Sequence, residues 1–555
     1  MNSNTFLLTV CGAMLVVTAS AGPEVYNVVM EQDARSRVVT VTYDLGVEPA
    51  IVTLDILTNG VSIGAHNIYC LSGDVNRGVY GGPGKTIKWK PHKSWSGNCI
   101  TNGTVQARVK AWTIDSPPDY MVVDLTGTDG LRFYECEAAL PGGISNNYYR
   151  TTAMVMRRIP ADGVTWTMGS SGNETGGGGK VNREWQHPVT MDHDYYMAVF
   201  EMTQGQYYHA FGKRHDRPNA GNDTTAEPFN TVDWEHRPLS DVRYVEIRTT
   251  TTPYVYLSTF TNYDYPAEPN GESIIGLLRA KTGIKFELPS EAEWEFACRA
   301  GTGEGFWNNG SRISKSSNCP NLPGRVGYNG GNPVQGDENY GIENKNEWTA
   351  ANGTAVVGSY APNKWGLYDM HGNVAEWCAD MINAWSDNGR LSAFIPVAWK
   401  SGEVLVDWLG PGLDELLYYT QRVNRGGHWA SAPVNCRSSC RNNTQFWGSD
   451  GVPYIGVRLA YTLKESKTAV VPSNPVNDLL PYSNEDDSLG NAKNKNDFWD
   501  LTGHVGRYVS KATASFSADD VLTGARFDTT SGSEMPSSVA YEMDTTPVKF
   551  IFTIR

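Results

Sequence analysis

The sequence predicts an α+β protein built from unlike parts: an N-terminal β-sandwich, a large irregular domain with few helices, and a small β-rich tail. Three observations lead there. The chain has 555 residues, about three times the common domain size, so more than one core is expected. Apolar and polar residues alternate through the first part of the chain, whereas glycine-bounded loops break up the middle, which offers only two strong helix signals. After Leu463 the composition shifts to Ser, Asn, Asp and Pro, as a linker would.

Residues 1–21 read as a signal peptide: Phe6 to Thr18 is a short apolar stretch, and Ala19-Ser20-Ala21 offers small residues for cleavage before Gly22, although no Lys or Arg precedes it. The protein is therefore expected to be secreted, periplasmic or at the cell surface. Residues 22–125 carry strand-like runs at Val25–Met30, Val38–Tyr43, Ala50–Leu57, Thr86–Trp89 and Val105–Thr113, separated by turn residues. They predict an immunoglobulin-like β-sandwich. Cys70 and Cys99 are candidates to staple it, with Cys136 as competitor. A stiff Ser116-Pro117-Pro118-Asp119 turn and the strand-like Tyr120–Asp124 and Leu131–Glu135 lead through a connector, 126–147, into the large domain, 148–463. There, Thr203 with Gln206 and Ser290 with Glu293 form capping boxes; Gly212 and Gly301 end the two helices. Trp294 and Cys298, four apart, share a face. Residues 464–497 read as a linker. The tail, 498–555, regains a strand-like run at Val548–Ile554.

With 46 Lys+Arg against 60 Asp+Glu, the formal charge is −14. No basic block is present, which argues against nucleic acid as a partner. No apolar run after the N-terminus could span a bilayer, so no transmembrane helix is expected once the signal is cleaved. Of nine cysteines, removal of Cys11 leaves an even set, which in an exported chain favours disulfides. Zinc-type CxxC pairs, a His-Glu-x-x-His helix, a nucleophile elbow and a phosphate loop are missing.

A series of motifs then points to one family. In order they are Ile159-Pro160 with Thr167-Met168-Gly169-Ser170; Phe200-Glu201-Met202-Thr203-Gln204-Gly205-Gln206-Tyr207; Arg237-Pro238-Leu239-Ser240-Asp241-Val242; Leu288-Pro289-Ser290-Glu291-Ala292-Glu293-Trp294-Glu295; Gly366 through Trp377; Arg425-Gly426-Gly427-His428-Trp429; and Gly456-Val457-Arg458-Leu459. In this order and spacing the large domain resembles the formylglycine-generating enzyme, or sulfatase-modifying-factor, family. The resemblance implies a compact, irregular α/β fold related to C-type lectins and often stabilised by calcium.

Asp369 and Glu376 bracket a Gly372-Asn373 turn whose alternating carbonyls can face one point, and hard oxygens of this kind suit Ca²⁺. In the family, residues matching Asp369 and Glu376 bind calcium through side chains, and those matching Gly372 and Val374 through carbonyls. The family's catalysts oxidise a substrate cysteine with Cu(I) held by two thiolates. Here Cys436 falls at the second position, but Ser431 stands at the first, and His428 replaces the serine of the Gly-Gly-Ser element. A serine oxygen is a poor ligand for Cu(I), so the copper site is expected to be absent. Cys440, four residues beyond Cys436, and His428 are the candidates for a substitute ligand set. The resemblance also implies a bridge from Cys298 to Cys436 or Cys440. Two functions follow as expectations: a calcium-stabilised binding or display module for a protein or glycan ligand, without copper chemistry; or an oxidase converting a protein cysteine to formylglycine, or making a related oxidation, with Cys436 and either Cys440 or His428.

Overall fold

This computed structural model describes residues 23–98, 103–127, 130–170, 184, 186–215, 233–249, 268–303, 305–306, 323–326, 353–383, 405–406, 420–429, 431–444, 454–463, 525–527 and 541–543. The signal segment, the 464–497 linker and the Val548–Ile554 run lie outside these residues.

Eight strands form the N-terminal unit: β1 (Val25–Gln32), β2 (Val39–Leu45), β3 (Ala50–Thr58), β4 (Val61–Ser62), β5 (Leu71–Gly73), β6 (Arg77–Val79), β7 (Gly82–Trp89) and β8 (Val105–Trp112), with a single helical turn, α1 (Pro91–Ser94). One sheet runs β1-β2-β7-β5; the other runs β4-β3-β6, with β8 also paired to β3. In β2 the apolar Val39, Val41, Tyr43 and Leu45 point inward. They join Val52 and Ile56 of β3 and Ile87 and Trp89 of β7 in one apolar cluster. Strands β4, β5 and β6 are too short to show a period and were not expected.

Strands β9 (Tyr120–Asp124) and β10 (Leu131–Tyr134) belong to the large domain, in a five-stranded sheet of order β10-β9-β11-β14-β20. There β9 pairs antiparallel with β11 (Ala153–Ile159), which follows the short helix α2 (Tyr148–Thr151). All five residues of β9 are buried, so this strand is covered on both faces and its sequence could not show which sheet it joins. Beyond it come β12 (Thr165–Met168), β13 (His187–Thr190) and β14 (Tyr195–Ala198).

Four helices follow: α3 (Gln204–Phe211), α4 (Tyr244–Arg248), α5 (Ile274–Thr282) and α6 (Glu291–Arg299). Both expected capping boxes are present, on α3 and α6. The sequence reading missed α5, although Ser273 caps it and the left-handed Gly283 ends it. The remaining strands are β15 (Ala375–Asn383), β16 (Leu405–Val406), β17 (Thr420–Arg425), β18 (Asn442–Thr444), β19 (Ile455–Gly456) and β20 (Ala460–Thr462). A second large-domain sheet has the order β18-β17-β15-β19. Of the tail, β21 (Ala525–Phe527) and β22 (Tyr541–Met543) form an antiparallel pair. Among the described residues no helix is long and apolar enough to cross a membrane.

Candidate functional site

Helix α6 organises the site. Its backbone start is fixed by the Ser290–Glu293 capping box, and every one of its residues is buried. Glu291 and Glu295 lie one turn apart, so they present two carboxylates on one side. Arg425, the last residue of β17, donates from Nε to Glu291 (2.8 Å) and from Nη2 to Glu295 (2.9 Å). Arg441 holds Glu291 at 2.6 Å through two nitrogens, and Arg299 holds Glu295 at 2.9 Å. Burial pushes both carboxyls up, but these guanidinium groups win and hold them below the usual carboxylate range. Arg425 also donates to the Ser438 carbonyl, 2.8 Å away. The helix is thus tied to the segment that follows the Gly426-Gly427 pair.

The Asp369–Glu376 loop lies on the other side of Trp294, whose indole N–H donates to Glu376 at 2.6 Å. Asp369, Gly372 and Asn373 all have left-handed φ, 58°, 92° and 61°. Glycine is needed at 372, because a Cβ there would lie 2.0 Å from the Arg325 carbonyl. Glu201 receives the Asn373 side-chain amide at 2.6 Å and the Val374 N–H at 3.0 Å. Glu376 is held by Arg458, Nη2 to Oε1 at 2.7 Å and Nε to Oε2 at 2.9 Å. Asp369 Oδ2 accepts the Gly358 N–H at 2.6 Å, while its Oδ1 is buried without a hydrogen-bond partner.

Glu201, Asp369 and Glu376 are all buried and close enough to repel one another, with Arg458 as their buried countercharge. Burial and this repulsion push Glu201 well up; burial first, against the Gly358 N–H, raises Asp369 to about 6. An excess of buried negative charge and a lone Asp369 oxygen fit a divalent cation. Glu376 would have to release Arg458 or Trp294 to bind it. Among the described residues no three His, Cys, Asp or Glu side chains are placed to hold a metal, so a cation here would need backbone carbonyls as well.

The thiol corner follows the glycine pair, with φ of 86° at Gly426 and 68° at Gly427. A Cβ on Gly427 would come within 2.5 Å of Cys436 Sγ, so the bare backbone lets the sulfur approach. The Ser431 hydroxyl accepts the His428 N–H at 3.1 Å. Both that N–H and the hydroxyl also approach the Cys436 sulfur. Complete burial, with Cys440 nearby, nevertheless pushes the Cys436 thiol well up, so it stays protonated. His428 stacks its ring on Tyr454, centroids 4.3 Å apart. Ser431, Cys436, Cys440 and the His428 backbone are thus gathered at one corner. The Cys436 thiol, held protonated by burial beside a hydroxyl, does not fit a Cu(I) ion that needs paired thiolates.

The expected bridge from Cys298 to Cys436 or Cys440 is not formed. No bridge joins Cys70, Cys136, Cys298, Cys378, Cys436 or Cys440, and Cys99, the expected partner of Cys70, lies outside the described residues. Cys298 instead faces the Met370 carbonyl (3.7 Å), His371 (3.7 Å) and Ser438 (3.5 Å). Those contacts turn its sulfur to groups other than Cys436, and burial pushes its thiol up to about 12. The sequence reading gave no role to Glu201, Arg425, Arg441, Arg458 or His371. Charged residues embedded in apolar motifs, such as Arg458 in Gly-Val-Arg-Leu, were the available signal.

Fold and site together define a mixed α/β domain with few helices, organised by buried carboxylate–guanidinium pairs and a glycine-flanked thiol corner. A family model for the sulfatase-modifying factor enzyme 1-like domain matches residues 147–463, and the chain belongs to that family. The formylglycine-generating enzyme of Thermomonospora curvata is 33% identical over 152 residues, 27% of this chain and 40% of that protein. The mouse (Mus musculus) formylglycine-generating enzyme is 34% identical over 176 residues, 31% and 38%. The chaperone protein LppX of Paenibacillus barcinonensis is 30% identical over 189 residues, 33% and 61%. The chain thus spans less than two thirds of the length of these curated relatives. Among solved structures, PvdO from Pseudomonas aeruginosa is 25% identical with a TM-score of 0.33, covering 56% of this chain and 94% of that one.

Proposed function

We propose that this chain is an exported member of its family that serves as a calcium-stabilised binding or display module for a protein or glycan, beside an immunoglobulin-like sandwich, and lacks copper-dependent cysteine oxidation. The observation that carries this reading is the Ser431 hydroxyl set against the Cys436 sulfur. A hard, weakly acidic oxygen stands where a second thiolate would be needed, and the Cys436 thiol is held protonated by burial. The second reading, an oxidase that modifies a protein cysteine, draws on Cys440, which lies close enough to Cys436 to raise its pKa.

A Cu(I) titration of the reduced full-length protein, followed by oxygen uptake with a cysteine peptide, separates the two. No tight Cu(I) binding and no turnover are expected, and Ser431→Cys is expected to create tight binding. Tight binding with turnover by the unaltered chain would establish the second reading. Calcium would be held by Asp369, the carbonyls of Gly372 and Val374, and Glu376; it would supply positive charge to a cluster short of it. Chelation is expected to lower the melting temperature, and Asp369→Asn to abolish that sensitivity. Identical melting with calcium and with chelator would sink this part.

A further inference from the structure

A cavity of about 730 Å³ lies between α3 and α5 and shares no residue with the site above. Its size falls within the roughly 300–1,000 Å³ of small-molecule sites. Tyr207, Ala210 and Phe211 line it from α3, and Ile274, Leu277 and Ala280 from α5. Spacings of three and four residues place each trio on one helix face. The walls are therefore apolar and partly aromatic: Tyr207 meets Phe211 edge-on at 4.6 Å and His215 at 5.2 Å. Leu277 stays 42% exposed.

One end of the cavity is charged. Arg243 and Glu246 pair, Nη2 to Oε1 at 2.8 Å and the Arg243 N–H to Oε2 at 2.9 Å. That leaves Lys213 and Lys281 facing a single further carboxylate, Glu272, an excess of positive charge. Lys281 donates to the Ala210 carbonyl at 2.5 Å, and an ammonium has donors to spare. His215 is 8% exposed; its Nε2 lies 3.6 Å from Glu246 Oε2, and its buried Nδ1 has no hydrogen-bond partner. With Nε2 turned to a carboxylate, Nδ1 is left to hydrogen-bond a bound molecule. A buried polar atom in that state calls for a partner.

From this arrangement we propose that the α3–α5 cavity binds a small aromatic carboxylate that carries a further hydrogen-bonding group. The apolar faces take the ring, the two lysines take the acid group, and His215 Nδ1 hydrogen-bonds the further polar group.

The test uses the full-length chain and the fluorescent anion 8-anilinonaphthalene-1-sulfonate, which combines aromatic rings, a negative charge and an N–H. One molecule is expected to bind per chain. Leu277→Trp, which fills the cavity, is expected to weaken binding at least about tenfold, and Lys213→Glu, on the exposed rim, about fivefold. Indole-3-propionate is expected to displace the probe at least about tenfold more effectively than the uncharged indole-3-propanol. Because Lys213 is exposed, its variant reports on the site even if Leu277→Trp fails to fold. Binding that is unchanged in Lys213→Glu, or equal displacement by the acid and the alcohol, would overturn the proposal.

Discussion

In the N-terminal unit the residues farthest from solvent include Val41, Val52, Ile56 and Ile87; in the large domain they include Arg248, Arg425 and Arg458. Ion pairs differ in the same way. Arg108 and Asp55, on β8 and β3, pair with side chains 62% and 15% exposed, whereas Arg425 and Glu291 pair with both at 0%. The first region coheres by removing apolar surface from water, a non-directional force that tolerates approximate geometry. The second buries charges, which gives little net stability but penalises any arrangement in which a partner is missing. An irregular domain with short strands needs such directional ties; a regular pair of sheets does not.

That contrast can be tested by substitution. The largest effect is expected from Arg425→Met, which strands Glu291 and Glu295 without one of their countercharges and should cost about 3–5 kcal/mol in denaturant unfolding. A loss below about 1 kcal/mol would mean that the buried pairs do not hold the domain.

Next comes Asp380, whose Oδ2 accepts the Glu291 N–H at 2.6 Å while its Oδ1 is buried without a hydrogen-bond partner. Burial, with Glu291 beside it, raises this carboxyl to about 8 from an ordinary 3.8. Between those values the folded chain holds a proton that the unfolded chain has lost. Its contribution is complete below pH 3.8 and is lost as pH rises through about 8. Asp380→Asn should flatten that slope and stabilise the chain at pH 8, by on the order of 1–3 kcal/mol. A slope unchanged in melts between pH 5 and 9 would show that Asp380 is already ionised when folded.

Ile56→Val, one methylene from the N-terminal core, should cost about 0.5–1.5 kcal/mol, independent of salt. Arg108→Ala should cost less than about 1 kcal/mol, and less still in high salt. If Arg108 proved as costly as Arg425, the distinction between the two regions would fail.

Much of the N-terminal unit was legible because alternation is a local record of burial: β2 and β8 read directly. The α3 and α6 starts were legible for the same reason, since a capping box spans four residues. The sheet that β9 joins was not legible, because a strand covered on both faces carries no alternation. In the candidate site, the Asp369–Glu376 loop and the Ser431–Cys436 corner could be found as motifs. The Glu201 contact to Val374, 173 residues away, could not. Nor could cysteine spacing show that Cys298 would turn to Met370, His371 and Ser438.

By itself, the sequence determined the helix caps, the alternating strands, the order of the family motifs and the serine at position 431. Tertiary structure alone decided that Arg458 neutralises Glu376 across 82 residues, that Asp369 keeps an unpartnered oxygen, and that the buried thiols stay unbridged. The physical reason is range. Propensity, capping and periodicity act within a few residues, so composition and order record them. Desolvation and charge pairing depend on which distant groups share a dry interior, and the folded chain sets those distances.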